Sequence, residues 1–253
     1  MRFPLAAKAF ALMLCAPAWA AAFAFDAPPA VPPDACAAFA ESAPAEAANV
    51  VRDGAAAGPS MPTEAAAVRI TFEDAERAPL LEEAYKDAHD VLGRGDECGD
   101  FFGGREVARY VLGRLVGQLR DEPALEPHIG IMMQGSYTNV TNLQTGTKYR
   151  LFDRAVVNSR GPFFREKDGA RALSACGSFA PNTRGVRVAM LLHELGHLIR
   201  GADGRWVLPN DGDNFALATR NTERIEKKCG RHIKALDAGP APDGPRPSAR
   251  GRR

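Results

Sequence analysis

His193, Glu194 and His197 lie in the run His-Glu-Leu-Gly-His. Two histidines four residues apart stand one turn apart on the same face of a helix. Their imidazole nitrogens can then reach one ion at about 2.0–2.1 Å, the usual zinc–nitrogen distance. Glu194, beside the first histidine, can stand next to the open side of that ion and accept a proton from water there. Zinc lowers the pKa of such a water to about 7, so the chemistry on offer is metal-assisted hydrolysis.

The surroundings strengthen this reading. Met190, Leu191, Leu192, Leu195 and Leu198 flank the two imidazoles. Polar rings in such apolar sequence are partly buried, and buried polar groups need partners. Two hydrogen-bonded core histidines are the plainer alternative. A catalytic zinc takes three protein ligands and a water, and three residues compete for the third place. Asp203 falls at the last position of the metzincin extension HExxHxxGxxH in its aspartate form, but Arg200 stands where that pattern has its turn glycine, with Gly201 one place late. Asp211 lies in Leu-Pro-Asn-Asp-Gly-Asp-Asn, on a loop that can fold back beneath the motif helix. Glu223 lies on the following helix, as a gluzincin ligand would, without that group's neighbouring residues. Asn221 and Thr222 can hydrogen-bond to a ligand.

The elements that must position these groups follow from periodicity. Leu81, Ala84, Tyr85, Ala88, Val91 and Leu92 recur at helical spacing, with Gly93 as a stop. Val107 to Leu119 reads as a second helix ending near Asp121. Ile129, Ile131 and Met133 alternate as in a short strand, Thr145-Gly146 is a turn, and Lys148–Asn158 is a strand broken by Gly161-Pro162. An extended peptide could pair with that strand near Val156 if it lies at a sheet edge. Arg184–Arg200 is the motif helix. A polar loop over 201–213 leads to a last helix, starting near Asn214, with Phe215, Ala218, Ile225, Cys229 and Ile233 as its buried stripe. The class is α+β, with helices around a small mixed sheet.

The ends read differently. Arg2 and Lys8, a short apolar run and Ala18-Trp19-Ala20 make 1–20 a cleavable export signal. A lipoprotein signal at Cys15 is disfavoured by Leu14 before it. Residues 21–67 are an Ala/Pro-rich leader, 68–236 the folded domain and 237–253 a basic, Pro-rich tail. The leader could serve as a propeptide. Cys36, Cys98, Cys176 and Cys229 survive cleavage, an even number that suits two disulfides in an exported chain. Cys176 and Cys229 flank the motif region and are the expected pair. The net charge of +1 argues against a nucleic-acid binder, and no other stretch could cross a membrane.

The segment 187–229 resembles a group of largely uncharacterised bacterial exported proteins. They share a His-Glu-Leu-x-His helix, then Ile/Leu-Pro-x-Asp-Gly, then Asn-Thr and a cysteine. Here those residues are His193–His197, Leu208–Gly212, Asn221-Thr222 and Cys229. Asn158 to Phe164 resembles the same group. The resemblance favours Asp211 over Glu223 as third ligand. Together with the motif it implies a zincin-like metallopeptidase, exported, holding one Zn2+ on His193, His197 and Asp211. Glu194 is its base, and its partner is a peptide or protein substrate.

Overall fold

The computed structural model describes residues 72, 74–124, 126–142, 145–212 and 214–238. The expected signal, the leader and all but the first two residues of the tail lie outside them. Five helices surround a small mixed sheet. Helix α1 (Ala78–Leu92) starts with Pro79 in its first turn and stops at Gly93, as its spacing predicts. The second expected helix is α3 (Arg105–Gln118). Four elements escaped the sequence reading: a short helix, a short strand after α3 and a pair of two-residue strands. Helix α2 (Glu97–Phe101) is a single turn capped by Asp96, and strand β1 (Leu119–Glu122) follows α3 without a loop.

Strands β2 (Ile131–Thr141) and β3 (Lys148–Asn158) are antiparallel, and β1 runs parallel to β3 on its other side. The order is therefore β1-β3-β2. The strand carrying Val156 is central rather than an edge, because Val156 pairs with Arg120 on one side and Met132 on the other. A peptide cannot add to it there. Strand β2 is an edge among the described residues. A bulge between Gln134 and Tyr137, with Gly135 at φ 82°, turns its outer half toward solvent. A two-residue pair, β4 (Lys167–Asp168) with β5 (Arg171–Ala172), completes the strands.

Helix α4 (Arg184–Leu198) is the centre of the fold. Thr183 caps its first turn, its side chain accepting from the Val186 amide at 3.1 Å. Every residue from Gly185 to Leu198 is buried. Arg184 makes a two-pronged ion pair with Asp87 of α1, at 2.8 and 2.7 Å. Helix α5 (Phe215–Asp237) packs along α4 and is capped by Asn214. Ala218, Ile225, Cys229 and Ile233 form its buried stripe, but Phe215 is 46% exposed. It stands at the first turn of α5, and its ring lies tilted against His128, 6.3 Å between centroids. Asp237, placed in the tail by composition, ends α5 and accepts from the Gly185 amide at 2.8 Å. No helix among the described residues is long and apolar enough to cross a membrane.

The cysteines correct the expected pairing. Cys229 is bonded to Cys98, not to Cys176. Helix α2 lies against α5 and brings the two Cα atoms to 4.9 Å, a separation that spacing along the chain does not reveal. Cys176 is also disulfide-bonded. The bridge closes a loop of 131 residues. Replacing Cys98 and Cys229 together by serine is expected to cost about 2–5 kcal/mol, read from the denaturant midpoint.

Candidate metal centre

The site is built where α4 ends. Ile199 leaves the helix in extended conformation, and the chain reverses at a turn closed by Gly201 and Arg205. The return segment runs back along the helix, with Val207 and Leu208 amides donating to the Ile199 and Gly196 carbonyls at 2.9 Å each. Gly196 permits this. A Cβ there would stand 2.5 Å from Leu208 Cγ, so only glycine between the two histidines lets the segment lie so close. The segment then delivers Asp211. A turn from Asp211 to Asn214 starts α5.

Asp211 Oδ2 lies 3.0 Å from His193 Nε2 and 3.4 Å from His197 Nε2. The two rings are 4.9 Å apart between centroids and converge on that oxygen. The three ligand atoms all lie within 4.8 Å of one another. The Asp211 distances to the two imidazoles lie near the roughly 3.3–3.4 Å that separates ligands around a tetrahedral ion, so the group could hold a metal. The other two candidates are elsewhere. Asp203 is exposed at the tip of the turn, where it accepts from the Arg205 amide at 3.0 Å. Glu223 is exposed on α5 and is not part of the group.

Helix α5 supplies the supports that its sequence suggested. Thr222 Oγ1 is 3.2 Å from His193 Nδ1. With the Nδ1 proton assigned to that bond, Nε2 would be free to offer its lone pair to a cation, in place of its hydrogen bond to Asp211 Oδ2. Asn221 Nδ2 donates to Asp211 Oδ2 at 3.0 Å and to the Pro209 carbonyl at 2.9 Å, fixing carboxylate and loop together. Losing such a support typically weakens metal binding 10–100-fold. Asn221→Ala and Thr222→Val are each expected to raise the zinc Kd by about that factor, measured by competition with a chromophoric chelator. Unchanged affinity would remove these two residues from the site.

Electrostatics point the same way. His193, Glu194, His197 and Asp211 are 1%, 4%, 0% and 3% exposed. Burial pushes the Glu194 carboxyl well above its usual range, Asp211 adds to this, and the Arg150 guanidinium opposes it. Burial also works against ionised Asp211, but the imidazoles of His193 and His197 outweigh it and hold this carboxyl far below its ordinary value. Burial lowers His197, and the neighbouring His193 and Arg150 lower it further, against the pull of Asp211. Glu194 Oε2 and Asp211 Oδ1 are buried with no hydrogen-bond partner. Such oxygens are costly unless something satisfies them. Two imidazoles and a carboxylate meeting beside them form a donor set that a divalent cation would satisfy.

Sequence reasoning overlooked Arg150, which is 3% exposed and belongs to β3. A lone arginine in a strand gives no local sign of where its side chain goes. Compared with known proteins, the chain matches no family model, no curated protein and no solved structure.

Proposed function

We propose that this chain is an exported, zincin-like, zinc-dependent hydrolase of the metallopeptidase type. The observation that carries the reading is the meeting of His193, His197 and Asp211 at one point, with Glu194 following His193 on the same helix. His193, His197 and Asp211 would hold the ion. Zinc, when bound, supplies a water of lowered pKa and polarises a carbonyl. Glu194 takes the proton from the attacking water and passes it to the departing nitrogen. Thr222 and Asn221 hold His193 and Asp211 still while the proton moves. The substrate is a peptide or protein, and strand β2, which packs near α4 and leaves one edge unpaired among the described residues, is where an extended chain would add.

Elemental analysis of the purified mature protein tests the metal. Peptide, ester and cell-wall substrates, each with and without a chelator, then test the reaction. Chelator-sensitive peptide cleavage is the expected result. Protein that neither carries nor takes up zinc would end the proposal.

The burial of all four residues favours a second reading, in which the zinc is structural and the chain binds a partner without catalysis. A structural site is closed by four protein ligands, whereas a catalytic one keeps a water. Ligand counting by X-ray absorption on the zinc-loaded protein separates the two.

A further inference from the structure

Arg150 lies outside the histidine motif yet joins both segments that carry it. Its Nε donates to the His197 carbonyl at 2.9 Å. Its guanidinium carbon lies 4.4 Å from the ring centroid of Trp206 and 5.2 Å from those of Tyr137 and Phe152. Trp206 belongs to the return segment that rests on Gly196 and leads to Asp211. One buried side chain therefore grips the backbone of a ligand at the end of α4 and the segment that delivers the third ligand. The helix terminus favours a cation at that carbonyl, and the aromatic faces favour a guanidinium above them.

We propose that Arg150 is a positioning residue of the metal centre: it locks the end of α4 to the return segment through the His197 carbonyl and the Trp206 ring, and so fixes His197 and Asp211 relative to each other. This rests on the metal-binding reading above. Lysine cannot replace it, because an ammonium lacks the planar group that donates along its edge while stacking on its face.

The test is zinc affinity, by chelator competition, for wild type, Arg150→Met, Arg150→Lys and a control, Arg154→Met. Arg154 is on the same strand, has a half-exposed side chain and pairs with Glu122. Both Arg150 variants are expected to bind zinc about 10–100-fold more weakly, with the control unchanged. The visible spectrum of the cobalt-substituted protein should change in both Arg150 variants as ligand geometry loosens. A purely structural role would lower the melting temperature and leave affinity and spectrum alone. Wild-type affinity in either folded Arg150 variant overturns the inference. If Arg150→Met does not fold, Arg150→Lys decides. A wild-type protein that binds no zinc overturns the metal reading itself, whereas zinc binding with unaffected variants overturns only the role of Arg150.

Discussion

Glu194→Gln is expected to keep its zinc and to lose about 10²–10⁴-fold in kcat on any peptide the wild type cleaves, the usual contribution of a positioned acid–base group. Glutamine keeps the shape of the side chain but cannot take a proton from water. Zinc should stay because Glu194 is outside the group formed by His193, His197 and Asp211. A second readout follows from the burial of this carboxyl, whose folded-state pKa lies above the ordinary 4.5. A group with a raised folded value binds its proton more tightly in the folded protein. The metal-free wild type should therefore lose stability as pH rises from about 4.5 toward that raised value, the unfolded chain releasing its proton first. The metal-free Gln variant lacks this loss, so its melting temperature should exceed that of the metal-free wild type at neutral pH. Full activity in the variant would remove Glu194 from the chemistry.

His193→Ala should abolish metal binding. It takes away one of the three proposed ligands and the partner of Thr222. Zinc content should fall from about one equivalent per chain to near zero. At free zinc about 1,000 times Kd, binding stabilises the wild type by about 4.1 kcal/mol. In a domain of this size that corresponds to roughly 8–16 °C in Tm. A chelator should erase this gap in the wild type and do nothing to the variant. A variant that still melts higher with zinc would mean that the ion sits elsewhere.

The sequence by itself determined what depends on near neighbours. The period of the apolar residues placed α1, α3, α4 and α5, and β3 has the bounds its pattern predicts. Helical spacing alone put His193 and His197 on one face with Glu194 beside them. Gly196 could be seen, but its purpose could not, because the side chain it makes room for comes from Leu208 on the returning segment. Only the tertiary structure decided what depends on distance through space. It brought Asp211, which the resemblance had favoured, and not Asp203 or Glu223 to the two imidazoles, made β3 the central strand, paired Cys229 with Cys98 and brought Arg150 to the His197 carbonyl. Each of these joins segments separated along the chain. Their meeting is set by how α4, α5 and the sheet pack, and no local periodicity encodes that.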